Sequence, residues 1–152
     1  MDDREALERQ LGRAPRAFRR VAVRCPFGHP AVAEQAPYAA DGTPFPTAFW
    51  LTCPHLVAQI SRLEASGGVE RWSQASRDDP ALAESLAAAQ ATQRALRPEL
   101  PTGIGGSARE GSLKCLHAHA AFALASPPYE LGDRILADAG QLWPQGGCCT
   151  AL

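Results

Sequence analysis

This chain has no charge excess, no long apolar run and no repeated unit, and each absence removes a class of function. With 15 basic and 16 acidic residues its net charge is −1, so the bulk electrostatics recommend neither nucleic acid nor an anionic membrane as a partner. No stretch approaches the roughly 20 apolar residues of a membrane span. The opening MDDREALERQ is acidic and polar, unlike a secretory leader. The expected location is therefore the cytoplasm, with the small-molecule or protein partner left open. Lysine is scarce beside Ala, Arg, Gly and Pro, as in proteins of high-GC bacterial genomes. There is no P-loop, no dinucleotide fingerprint and no C-x2-C knuckle.

What is there is a globular composition, 45% hydrophobic and 20% charged over 152 residues. That length suits one domain with a core that needs no staples. Five cysteines in a reducing compartment do not read as a disulfide framework. They are Cys25, Cys53, Cys115, Cys148 and Cys149. The four histidines all fall near three of them, as Cys25-x3-His29, Cys53-x-His55 and Cys115-x-His117-x-His119. This clustering is the strongest chemical signal in the chain.

The organising stretch is Thr43 to Gly68, TPFPTAFWLTCPHLVAQISRLEASGG. Thr47 to Thr52 reads as a buried strand, Cys53 stands where it ends, and Pro54 occupies a first helical position. Leu56, Val57, Ile60 and Leu63 then recur at helical spacing up to the Gly67-Gly68 stop. Cys53 is thus expected at a strand-to-helix corner, near the positive end of a helix dipole. Ala17 to Arg24 alternates as a second strand and also ends in Cys-Pro, so the two strand ends can lie side by side in one sheet.

Elsewhere, Asp2 to Leu11 predicts a short capped helix. His29 to Pro46 reads as loop, since Pro30, Pro37, Pro44 and Pro46 interrupt it. Val69 to Trp72 reads as a short strand or extended link. Asp78-Asp79-Pro80 opens a long Ala-rich helix, ended by Pro98 and Pro101. TGIGGSAREG leads into a helix expected to begin near Ser112, which places Cys115 and His119 on one face and turns His117 away. Tyr129 to Ala139 makes a further helix, before a tail carrying Cys148-Cys149. Together these predict a mostly helical α+β fold: a small two- to three-stranded sheet covered by four to five helices.

Three blocks, VAVRCPFGHPAV, PFPTAFWLTCPHLVAQISRLEASGGV and GIGG followed by LKCLHAHAAFALA, resemble a bacterial domain-of-unknown-function family, the one numbered 501. The resemblance runs in order through residues 17–140 and divides a single domain into an N-terminal helix and linker (1–16), the family core (17–140) and a Cys-containing tail (141–152). It carries over no activity. It does imply a gene neighbourhood near a septum-formation initiator and an exopolyphosphatase.

Three function classes follow, in order of preference. The first is metal binding, with zinc held by Cys25, Cys53, Cys115 and His119, and with His117 or His55 as substitutes. An iron–sulfur cluster on Cys25, Cys53, Cys115 and one tail cysteine is its variant. The second is a cysteine-dependent enzyme, in which Cys53 is the nucleophile and His117 or His119 the base. A small anionic, phosphate-type substrate would then be held by Arg24, Gly105, Gly106, Arg109 and Lys114. The third is a non-catalytic interaction module.

Overall fold

A computed structural model describes residues 1–107 and 112–149. The described chain is a three-stranded antiparallel sheet packed among six α-helices, a mostly helical α+β fold. It opens with α1 (Asp3–Leu11), whose first turn is capped by the Asp2 carboxylate accepting from the Glu5 amide at 2.8 Å. The strands are β1 (Phe18–Arg24), β2 (Pro30–Gln35) and β3 (Phe49–Leu51), in the spatial order β1-β2-β3. Val32 of β2 faces Val23 on one side and Leu51 on the other.

The central strand is the largest departure from the sequence expectation, because it lies inside the segment that its prolines mark as loop. Pro30 takes the first strand position, where a missing N–H is tolerated, and the other prolines lie outside the strand. Ala31, Val32 and Ala33 are buried, so sandwiching between neighbours decides the conformation where alanine's weak strand preference does not. Since β1 and β3 both run antiparallel to β2, they run parallel to each other. Their C-terminal ends therefore reach the same edge of the sheet. Cys25 and Cys53 leave the sheet there, their backbones two strand spacings or roughly 10 Å apart across the sheet.

From that edge α2 (Pro54–Ala65) departs, with Cys53 at its N-cap and Pro54 in its first turn. It is followed by α3 (Gly68–Asp78), which absorbs the expected short strand at Val69 to Trp72. Gly67, at φ 86°, ends one helix and begins the other. A Cβ on Gly68 would stand 2.6 Å from the Leu63 carbonyl oxygen, so this corner requires the paired glycines. Next comes α4 (Pro80–Leu96), capped by Asp79 accepting from the Ala81 amide at 3.0 Å. A single 3₁₀ turn at Ile104–Gly106 precedes α5 (Leu116–Ala125), and α6 (Glu130–Ala139) closes the fold.

The core lies where the alanine-rich α5 meets β3 and α6. Seven of its ten residues are buried, and their small side chains let it sit close against the sheet. The Phe122 ring packs edge-on against Phe49 and Tyr129, with centroids 5.7 Å apart in each pair. No helix among the described residues is long and apolar enough to cross a membrane.

Candidate metal centre

The helix carrying Cys115 begins later than its sequence suggests, and that shift changes which groups meet. Leu116 is its first residue, so Cys115 is the N-cap and not part of the helical face. Lys114, the only lysine in the chain, takes a left-handed φ of 64°. The Cys115 amide then donates back to the Leu113 carbonyl at 2.7 Å, closing a strained γ-turn around Lys114. Cys115 therefore does not share a face with His119, and its Sγ stands 3.8 Å from His117 Nδ1.

His119 turns inward instead and is fully buried. Its Nε2 lies 3.0 Å from the Leu113 carbonyl, which can only accept, so Nε2 carries the proton. Nδ1 then accepts from the Tyr129 hydroxyl at 2.7 Å. Burial lowers the His119 pKa to about 4, keeping the ring neutral. Both nitrogens are occupied within the protein. The role of His119 is to hold Leu113, and through it the turn that presents Cys115.

His117 has a different setting, partly buried between α5 and α2. Its Nε2 lies 3.3 Å from the Val57 carbonyl and 3.1 Å from Ser61 Oγ. The carbonyl requires a donor, so Nε2 carries a proton, and Nδ1 faces the other way. There it meets Glu64 Oε1 at 3.2 Å as well as the Cys115 sulfur. The other Glu64 oxygen accepts from the Leu116 amide at 2.8 Å. Three lone-pair donors, Glu64, Cys115 and His117, thus converge with their ligand atoms all within 4.8 Å of one another. Among the described residues no other trio of His, Cys, Asp or Glu does so.

The electrostatics record the same convergence. Burial works to raise the Cys115 thiol, but the His117 contact and the Ala118 amide at the start of α5 outweigh it and hold the thiol below its ordinary value. The Cys115 contact raises His117 above the usual imidazole range; burial opposes this and the Glu64 charge adds to it.

The four residues first expected to share a metal are not drawn together. Glu64 is eleven positions along α2 from Cys53, so the helix itself separates Cys115, seated beside Glu64, from Cys53 by roughly 16 Å. Cys25 and Cys53 are buried at the sheet edge, and Cys53 Sγ lies 3.9 Å from Cys148 Sγ. His55 faces the Gln141 carbonyl at 3.1 Å. Of the residues expected to hold an anion, Arg24 is engaged by both carboxylate oxygens of Asp3, at 2.8 and 2.7 Å. Gly105 and Gly106 allow close packing: a Cβ on Gly105 would lie 3.7 Å from that of Cys115, and one on Gly106 would lie 2.8 Å from that of Pro46. Lys114 is exposed, and Arg109 falls outside the described residues.

Glu64 and Ser61 were not singled out by sequence reasoning. The signal for them was present, since Val57, Ser61 and Glu64 recur at spacings of four and three and so form one stripe of α2, the stripe that meets His117.

A family model described as a protein of unknown function, DUF501, matches residues 21–103, more than half of the chain. The matched region contains Cys25, Cys53, Ser61 and Glu64, while Cys115 and His117 lie beyond it. No curated protein and no solved structure matches the chain.

Proposed function

The chain belongs to this family of unknown function, and from that premise we propose that it binds one divalent metal ion, zinc by preference, through Glu64, Cys115 and His117. One observation carries the reading. Nδ1 of His117 points at a carboxylate and a sulfur, so the space between the three calls for positive charge, which a metal cation supplies as well as a proton on Nδ1 does. Carboxylate, thiolate and imidazole are the donor types zinc takes. The surrounding contacts are those metal ligands commonly have: a backbone carbonyl behind the histidine and an amide behind the carboxylate. Three protein ligands leave a fourth position, and the Glu64 and His117 side chains, 26% and 24% exposed, leave it reachable by water or a small molecule. Zinc so held supplies a Lewis acid and an acidified water.

A second reading has its own support. Cys115 is a thiol at a helix N-terminus with an imidazole beside it, which suits a nucleophile. It would move that role from Cys53 to Cys115 and keep His117 as its partner. An iron–sulfur cluster fits this group less well, because it contains a single sulfur.

Elemental analysis of protein purified anaerobically without chelator separates the readings. The metal reading expects about one equivalent of zinc at this site, lost in Cys115→Ser and in His117→Ala while the far-ultraviolet circular dichroism is unchanged. Metal-free protein whose Cys115 is selectively alkylated at neutral pH would reject it and favour the nucleophile.

A further inference from the structure

At the sheet edge a second group of sulfurs collects, outside the cluster just described. Cys25 and Cys53 end the two outer strands and are 4% and 1% exposed. The C-terminal tail brings a third sulfur to them. Its path is fixed at the start, where the Gln59 side-chain amide donates to the Gln141 carbonyl at 2.8 Å and His55 faces the same oxygen. Leu142 and Trp143 then pack on the core. Gly146 and Gly147, at φ 86° and 141°, turn the chain back so that Cys148 meets Cys53 and Cys25. Cys149 is held apart, its sulfur 3.5 Å from the Gln10 amide nitrogen.

We propose that Cys25, Cys53 and Cys148 form a sulfur-only site for a soft d10 metal ion of the copper(I) or zinc class. The Cys53–Cys148 spacing fits a shared ion and is too long for a disulfide. Cys53 and Cys148 are free thiols whose sulfurs are 3.9 Å apart. A disulfide would place them at about 2.05 Å. Two thiolates sharing one tetrahedral zinc, with bonds of about 2.3 Å, stand about 3.8 Å apart. The three sulfurs are not all within 4.8 Å of one another; Cys148 adjoins both of the others, and a shared ion would require Cys25 and Cys53 to close in on it. A donor set of sulfur alone selects soft ions over magnesium or calcium. Burial of two of the three ligands shields the ion from water, in contrast to the open Glu64 cluster. The proposal does not depend on the metal reading of that cluster.

The test uses the full-length, fully reduced protein carrying Cys115→Ser and His117→Ala, which removes the first cluster while leaving the sheet edge intact. Cadmium(II) is titrated and the sulfur-to-cadmium charge-transfer absorption is followed. One equivalent is expected to bind with that absorption. Adding Cys148→Ser, in a tail residue that leaves the fold standing, should weaken binding by on the order of a hundredfold or more, whereas adding Cys149→Ser should leave it within about twofold. No charge-transfer band in the starting variant overturns the proposal. Equal losses from Cys148→Ser and Cys149→Ser overturn it too. The first cluster is read separately in Cys148→Ser, where its own equivalent of zinc should persist.

Discussion

Cys53 and Cys115 are placed by the same local device and end in opposite environments. Each is the N-cap of a helix, and neither uses its side chain to cap that helix. Around Cys53 the neighbours are another sulfur and apolar core, and burial together with the adjoining sulfurs pushes the nearby Cys148 thiol up to about 12. Around Cys115 the neighbours are an imidazole and a carboxylate, and the thiol lies below its ordinary value. The position of a cysteine on a helix start therefore does not set its chemistry; the face of the neighbouring helix does. One helix contributes to both places, since α2 begins at the Cys53 corner and carries Glu64 near its end.

The same contrast holds between the two histidines of α5, and it gives the largest expected effect. His119 is neutral in the folded protein, with its pKa lowered to about 4 from 6.5 by burial. Between these values the unfolded chain binds the proton and the folded one does not, so stability rises with pH across that interval. The contribution is complete above about pH 6.5, is lost progressively as pH falls towards 4, and amounts to about 3 kcal/mol. Chemical denaturation from pH 7 to pH 4 should show this loss, and His119→Gln should flatten that part of the profile. An unchanged slope in His119→Gln would mean that the buried imidazole is not what the acid attacks.

The next effect sharpens the comparison between the clusters. Cys115→Ser and Cys148→Ser remove one sulfur each. Cys115→Ser should weaken zinc binding at the Glu64 cluster by more than about a hundredfold, and Cys148→Ser should leave that binding within about threefold. Competition against a chromophoric zinc chelator reads both. A comparable loss in Cys148→Ser would join the two clusters into one energetic unit.

How far this contrast was legible in the sequence depends on what each residue needed. The Cys53 corner was readable because its signals are local: an aromatic strand, then Cys-Pro, then helical periodicity. The paired glycines at 67 and 68 likewise announced a stop, although the chain re-enters a helix at once where a short strand was expected. The parallel placement of the ends of β1 and β3 was only half readable. It requires the intervening β2, whose alanines and first-position proline hide it. The pairing of Cys115 with His117 was misread because Lys114 adopts a left-handed backbone that no propensity foretells, moving the helix start by four residues from Ser112 to Leu116. Glu64 belongs to another helix, and its meeting with Cys115 is a product of tertiary packing.

A smaller effect tests the face of α2 behind His117. Ser61 Oγ stands 3.1 Å from Nε2, with the Val57 carbonyl at 3.3 Å sharing that proton. Ser61→Ala leaves the carbonyl in place, so zinc affinity should fall by about tenfold or less, the low end for a group that orients a ligand. A loss as large as that of Cys115→Ser would make Ser61 a ligand and not a support.

The smallest effect concerns the turn that aims Cys115 at its partners. A left-handed φ costs an ordinary residue about 1–2 kcal/mol, and Lys114 bears this cost at φ 64°. Lys114→Gly removes it, against a loss of about 0.4–1 kcal/mol from the freer unfolded chain. The net expectation is a stabilisation of about 1 kcal/mol or less, a rise in melting temperature of about 2–4 °C at most for a domain of this size. Lys114→Ala supplies the control, since it removes the charge and keeps the Cβ; its stability should stay within about 0.5 kcal/mol of the parent. Zinc affinity in Lys114→Gly decides what the strained turn does. If the His119–Leu113 bond alone aims Cys115, affinity is unchanged in Lys114→Gly. If the turn must be rigid, affinity falls while the melting temperature rises, and Lys114→Ala, still strained, binds as the parent does.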